Sequence, residues 1–149
     1  MLDPAQVRPA PWRNGAGSTR ELALATDPDG RMSWRISLAS IDWDAPFSLF
    51  PEVDRLFVAL GSLRLTVDGV TSLMAWGDER RFAGESSVAV AVDEPTTALN
   101  VMTRRGWGRA EVALRDAVEH APDDVDVTIV LDGMVADVRL FALAEVPDV

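Results

Sequence analysis

The sequence contains no cysteine, no lysine and no tyrosine, and it has a single histidine. Without cysteine, the chain has no disulfide, no thiol nucleophile and no thiolate metal site. Without lysine, it cannot form a Schiff base or supply the phosphate-binding lysine of a P-loop. The one imidazole, His120, lies in the polar stretch VEHAPDD and makes neither a metal site nor a catalytic triad by itself. These absences exclude most common metal and nucleophile chemistries.

Negative charge dominates the chain, which has 24 acidic residues against 14 arginines and a formal net charge of −10. Such a chain repels phosphate backbones, and no basic run with interleaved aromatic residues offsets that repulsion. No apolar run approaches the roughly 18 residues that a membrane span requires. The first residues lack the basic start and apolar core of a signal peptide. We therefore expect a cytoplasmic protein with no nucleic-acid and no membrane partner.

Short segments in which apolar and polar residues alternate recur along the chain, and turn signals separate them. This pattern is typical of an all-β sandwich or barrel. Within a single domain of residues 1–149, the polar stretch 116–126 is predicted to be a helical turn or a linker between two β parts. Asp68-Gly69 suits a type I′ hairpin turn, and residues 44–54 are predicted to be irregular. The predicted strands lie at 20–26, 32–41, 55–60, 63–73 (a hairpin), 86–92, 97–103, 109–115, 125–131 and 135–143.

Polar side chains interrupt two of these strands. In MSWRISLASI (32–41), one face is apolar and the other carries Ser33, Arg35 and Ser37. Arg35 points either to solvent or into the mouth of a barrel. Asn100 lies mid-strand in TALNVMT, and a buried amide without partners costs about 1–3 kcal/mol. We expect Asn100 to meet backbone groups, water or a ligand.

The segment PWRNGAGSTRE, residues 11–21, packs unusual polar chemistry ahead of the first long strand. It is not a dinucleotide fingerprint, because Arg20 replaces the third glycine, no strand precedes it and no helix follows it. Two interpretations remain open. The segment is either a tight turn into the strand or a loop whose backbone N–H groups cradle a carboxylate.

Five stretches occur in an order that resembles the HutD/Ves family, over residues 8–115: PWRNGAGSTREL, WRISLASI, PFSLFPEVDRLFVAL, LRLTVDG and LNVMTRRG. The chain departs from the family pattern at Arg13, where lysine is usual, and at Ala16, where glycine is usual. The resemblance implies a cupin-like fold related to the RmlC-like jelly roll. That fold usually has two β-barrel halves, so a bicupin with a shortened second half is expected here. It also implies a bacterial protein without metal or other cofactor.

The resemblance further implies a binding or regulatory protein of histidine utilisation that senses a carboxylate intermediate such as formylglutamate or urocanate. In that hypothesis Trp12 and Phe47 form apolar walls, and Arg35 or Arg104 pairs with the carboxylate. The predicted ligand-binding residues are Trp12, Asn14, Gly15, Gly17, Thr19, Glu21, Arg35, Phe47, Ser48, Asn100 and Arg104. Among them, Thr19 and Glu21 are expected to hold the loop in place.

Two further hypotheses stay open at this point. One is a metal-free isomerase or epimerase of the cupin type, for which Glu21 is the best candidate base. The other is a protein-interaction module without a ligand, marked by an exposed apolar patch. A homodimer is compatible with each of these hypotheses, but catalysis is the less favoured one.

Overall fold

The computed structural model describes residues 1–143 and confirms an all-β protein. Residues 144–149 of the predicted domain lie outside the described part. A 3-10 turn at Pro4–Gln6 precedes the strands. The strands are β1 (Ala10–Pro11), β2 (Gly17–Thr26), β3 (Met32–Ile41), β4 (Ala45–Pro46), β5 (Val53–Ala59), β6 (Leu63–Val67), β7 (Val70–Met74), β8 (Glu79–Ala83), β9 (Val88–Ala91), β10 (Thr96–Arg104), β11 (Gly108–Asp116), β12 (Val127–Val130) and β13 (Met134–Ala142).

The strands form three antiparallel sheets that are layered rather than closed into one barrel. The central sheet has the order β1-β2-β3-β10-β5-β8. A four-stranded sheet, β4-β9-β6-β7, covers one face, and a three-stranded sheet, β11-β13-β12, covers the other. In the central sheet, β10 pairs with both β3 and β5, although β10 is far from both of them in the sequence.

Each face of the central sheet is covered by another sheet, and side chains alternate between the two faces. We call the face toward the four-stranded sheet the inner face; Ala39, Phe57 and Ala98 lie on it. The opposite, outer face carries apolar residues such as Ile36 and Leu99. The face of β3 predicted to be polar therefore does not face bulk solvent. Ser33 and Ser37 are 7% and 4% exposed.

The segment 116–126 begins with the last residue of β11 and otherwise contains turns but no helix, so the predicted helical turn is absent there, and its role as a linker between two β parts stays a prediction. The three-stranded sheet joins β11, before this linker, to β12 and β13, after it. Leu2 also bridges to Ile129 of β12. The parts on either side of the linker thus share one core layer, and their description as two cupin halves stays a prediction.

One local feature was predicted from the sequence, the turn at Asp68 and Gly69, and another was not, strand β8. Asp68 and Gly69 both have positive φ, at 47° and 84°, as the predicted type I′ turn requires. Strand β8 escaped sequence analysis because its residues read as a charged run. Only Phe82 of that strand is buried, since β8 lies at the edge of the central sheet.

Candidate functional site

The inner face of the central sheet changes from apolar to polar along the strands. In the register of β3, β10 and β5, one row of neighbours is Ala39, Ala98 and Ala59. The next row on the same face is Ser37, Asn100 and Phe57, and the one after is Arg35, Met102 and Arg55. Ala59, Ala98 and Phe57 pack into the core. Ala39 and the other residues of the next two rows, which we call the polar rows, form the floor of a cavity.

This cavity has a volume of about 530 Å³, within the usual range for small-molecule sites. Arg13, Arg35 and Arg55 contribute three positive charges to its wall. Within residues 1–143, the lining includes no aspartate, glutamate or histidine. The lining residues are Pro11, Trp12, Arg13, Asn14, Thr19, Arg35, Ser37, Ala39, Pro46, Phe47, Ser48, Phe50, Arg55, Asn100 and Met102. A cationic cavity therefore exists in a strongly acidic protein.

Arg55 is the most unusual residue of the site. It is 6% exposed, and its guanidinium donates to the Asn100 Oδ1 atom at 3.2 Å and to the Ser48 carbonyl at 3.4 Å. Its Nε is buried without a hydrogen-bond partner in the described structure. Burial, with a smaller contribution from the nearby Arg35 charge, lowers the pKa of Arg55 to about 10. Arg55 is therefore still charged at neutral pH, in a site that disfavours its charge.

Aromatic rings surround the Arg55 guanidinium. Its central carbon lies 5.3 Å from the ring centroids of both Phe47 and Phe50 and 5.1 Å from that of Phe82. Each such contact is attractive, because the face of an aromatic ring is electron-rich. Trp12 meets Phe47 edge to face at 6.2 Å and continues this apolar wall. The rings hold the guanidinium in place while leaving it without a neutralising charge.

Arg35 differs from Arg55 because it has a countercharge. Its Nε lies 2.9 Å from the Glu21 Oε1 atom, and the two side chains are 24% and 48% exposed. Arg35 lies two strands from Arg55, with Met102 between them. At the usual strand spacing, their Cα atoms are about 10 Å apart. An anion between the two would interact with both.

The segment of residues 11–21 forms a short hairpin, and most of its polar groups make hydrogen bonds within it. The Trp12 Nε1 atom donates to the Thr19 hydroxyl at 2.7 Å, and the Asn14 Oδ1 atom accepts from the Ala16 N–H at 3.0 Å. Gly15 adopts a φ of 74°, which glycine tolerates best. A Cβ atom on Gly17 would lie 2.2 Å from the Ser40 carbonyl oxygen and 3.0 Å from the Trp12 ring. Glycine at this position thus lets Trp12 pack closely.

The structure brings seven of the eleven predicted residues to the cavity: Trp12, Asn14, Thr19, Arg35, Phe47, Ser48 and Asn100. Four lie outside its lining. Gly15 and Gly17 serve the turn and the packing of Trp12 instead of offering backbone N–H groups to the cavity. Glu21 pairs with Arg35. Arg104 pairs instead with Asp27, at 2.7 Å.

Arg55 is the residue that sequence analysis missed as a site candidate. A signal was present, because RLFVAL is otherwise apolar at every position. Arg55 is a charged residue on the same face of its strand as Phe57 and Ala59. It therefore indicates a site as clearly as Asn100 does in its own strand. The position of Arg55 at the start of its strand made it look like an end residue instead.

In the described part of the chain, no three metal-binding side chains cluster together. Nor is any helix there long and apolar enough to cross a membrane.

Known proteins match this chain over much of its length. The HutD family model matches residues 4–140. Protein Ves of Citrobacter koseri is 37% identical over 110 residues, which cover 70% of this chain and 58% of that protein. The chain thus spans less than two thirds of the length of the curated relatives it matches.

Solved structures show the same fold. HutD from Pseudomonas fluorescens SBW25 (formate condition) superposes with a TM-score of 0.73 at 20% identity, covering 95% of this chain and 98% of that one. An RmlC-like cupin from Shewanella frigidimarina NCIMB 400 superposes with a TM-score of 0.55 at 12% identity, covering 67% and 86%. The fold is cupin-like, as the sequence resemblance implied.

Proposed function

The chain belongs to the HutD family, and we propose that it is a binding protein that senses a small carboxylate metabolite of histidine breakdown. Formylglutamate and urocanate are the candidate ligands that the family resemblance suggested. The ligand would occupy the cavity on the inner face of the central sheet, with a carboxylate against Arg55.

The observation that carries this proposal is the buried charge of Arg55. A buried charge is costly unless it is paired and hydrogen-bonded. The partners of Arg55 are an amide oxygen, a carbonyl oxygen and aromatic rings. A carboxylate would supply the missing charge and could take two parallel N–H donors. Binding would therefore relieve a cost that the empty protein carries.

The other lining groups support the same ligand chemistry. Asn100, Ser37 and Ser48 offer hydrogen bonds beside Arg55, and Trp12 with Phe47 offers an apolar wall. A small acid with a carbon chain or ring fits such a mixed surface. The net charge of −10 does not prevent entry, because salt screens distant charges over about 8 Å at physiological ionic strength.

An enzymatic role is less well supported. Glu21, the candidate base, lies outside the cavity lining and is held by Arg35. A general base must come within about 2.6–3.2 Å of the proton it removes. The geometry therefore favours binding over proton abstraction by Glu21.

Isothermal titration calorimetry with N-formyl-L-glutamate and with trans-urocanate tests the proposal. We expect at least one of them to bind the wild-type protein. Arg55→Met should weaken that binding about 10- to 100-fold, because charged hydrogen bonds contribute roughly 1.5–3 kcal/mol. Arg64→Met is the matched control, because Arg64 lies on β6 and pairs with Asp93 away from the cavity. Absence of binding by both acids, or equal binding by Arg55→Met, would contradict the proposal.

A further inference from the structure

The polar groups of the cavity point to a more specific ligand class. Resting on the proposed function, we infer that the cavity selects acids whose α-nitrogen is absent or acylated and rejects the corresponding α-amino acids. The inference comes from the hydrogen-bonding state of each polar group in the wall.

All formal charges in the wall are positive. The lining contains three arginines, and among residues 1–143 it contains no acidic side chain. An α-ammonium group bound beside Arg55 and Arg35 would be repelled by both. It would also lose its water without gaining a carboxylate. A carboxylate in the same place would be attracted by both arginines.

The two amides of the wall are oriented as donors. The Asn100 oxygen accepts from Arg55, and the Asn14 oxygen accepts from the Ala16 N–H. Arginine and a backbone N–H cannot accept a hydrogen bond, so neither amide can turn its oxygen elsewhere without losing this bond. The Nδ2 groups of Asn100 and Asn14 are therefore left to donate to a ligand.

Two further neutral acceptors near the cavity are engaged, whereas the Ser37 and Ser48 hydroxyls can donate or accept. The Thr19 hydroxyl oxygen accepts from the Trp12 indole N–H, which leaves the Thr19 proton free to donate. The Ser48 carbonyl accepts from Arg55. An ammonium group has three donors and no acceptor. It would meet a wall in which donors outnumber free acceptors.

Glu21 does not change this balance. It pairs across β2 and β3 with Ser37, which belongs to one of the polar rows. Its Oε1 atom already accepts from the Arg35 Nε at 2.9 Å. Glu21 lies outside the cavity lining, so an ammonium bound within the cavity beside Arg55 would not contact it. The wall thus combines attraction for one ligand class with repulsion of its closest competitor.

Matched ligands test the inference by calorimetry at neutral pH. Glutarate, N-formyl-L-glutamate and L-glutamate share a five-carbon diacid, and only L-glutamate carries an ammonium. trans-Urocanate and L-histidine form a second comparison. In the series that binds, we expect the amino acid to bind at least about tenfold more weakly than its ammonium-free partner, the ratio that 1.4 kcal/mol produces.

The outcomes separate the two proposals. If an amino acid binds as tightly as its ammonium-free partner, the inference is overturned while carboxylate binding by the cavity stands. If no acid in either series binds, both proposals are overturned.

Asn100→Asp provides a second measurement, because it replaces one donor nitrogen by an acceptor oxygen and adds a negative charge with little change in shape. We expect it to weaken binding of the ammonium-free acid more than that of the amino acid. The ratio between the two affinities should fall at least about threefold, with Arg64→Met leaving it unchanged. An unchanged ratio in Asn100→Asp would show that the donor pattern does not set the preference.

Discussion

Two arginines with largely buried side chains, in different layers of this protein, are held in opposite ways. In the three-stranded sheet, the Arg115 Nε atom lies 2.6 Å from the Asp137 Oδ2 atom, and the two side chains are 10% and 1% exposed. Thr128 also donates to Asp137 at 2.9 Å. In the cavity, Arg55 is 6% exposed and has an amide, a carbonyl and three rings around it.

The difference separates a charge with a structural countercharge from a charge that, in our proposal, a ligand would neutralise. Burial alone raises the pKa of Asp137, and the hydrogen bonds from Arg115 and Thr128 overcome this and lower it. In that pair, the charge of Arg115 and the charge of Asp137 therefore neutralise each other. For Arg55, burial and the Arg35 charge both act against the cation. Removing the charge should thus have opposite consequences in the two places.

Arg115→Met should produce the largest change in stability. It leaves the Asp137 carboxylate buried without its cation, which typically costs about 3–5 kcal/mol. Urea denaturation at neutral pH measures the free energy of unfolding. A loss below about 1 kcal/mol, the range of exposed pairs, would contradict the structural role of this pair.

Arg55→Met is the matched substitution at the other site. It removes a buried charge that the folded protein does not neutralise. It also removes the contacts of the guanidinium with the three phenylalanine rings. We expect a free energy of unfolding within about 1 kcal/mol of wild type, or higher, because apolar replacements of buried ionic groups are often neutral or stabilising. A loss as large as that of Arg115→Met would mean that Arg55 is a structural residue.

Asn100→Asp should sharpen the comparison by giving Arg55 a carboxylate partner, as Arg115 has in Asp137. The new carboxylate would lie where the amide oxygen now accepts from Arg55 at 3.2 Å. We expect the free energy of unfolding at neutral pH to rise by about 1 kcal/mol, since charged hydrogen bonds exceed neutral ones. Lower stability in urea would show that Arg55 does not need a countercharge.

An exposed pair should give the smallest effect and one that depends on pH. Hydrogen bonds from Arg105 to Glu85, at 2.8 and 3.0 Å, lower the pKa of Glu85 from 4.5 to about 2. A carboxylate with a lowered pKa in the folded state stabilises the fold above its unfolded pKa and loses this effect as the pH falls. The stability difference between wild type and Glu85→Gln should therefore shrink between pH 4.5 and about 2.

Urea midpoints over that pH range measure the difference. Glu94→Gln, which changes an exposed carboxylate on another loop, serves as the control. A difference for Glu85→Gln that stays constant through the acid range would contradict the Arg105 pairing.

Part of the candidate site was accessible from local sequence rules. Asn100 and Arg35 stood out because polar residues inside alternating strands need a partner or a cavity. Arg104 was predicted only as an alternative partner for the carboxylate, and the structure shows that it shares a face of β10 with Asn100. Its pairing with Asp27 depends on a loop 77 positions away in the chain. Alternation predicts the face of a side chain but not the neighbour it meets there.

The sequence by itself determined the all-β class, the hairpin turn at Asp68 and Gly69, and the polar interruptions of the strands. These depend on period-2 alternation and on φ preferences, which act over a few residues. Only the tertiary structure decided that β10 lies between β3 and β5, which brings Arg35, Arg55 and Asn100 to one cavity. It also decided which buried arginine has a carboxylate beside it, because strand pairing and layer packing join residues that are distant in the chain.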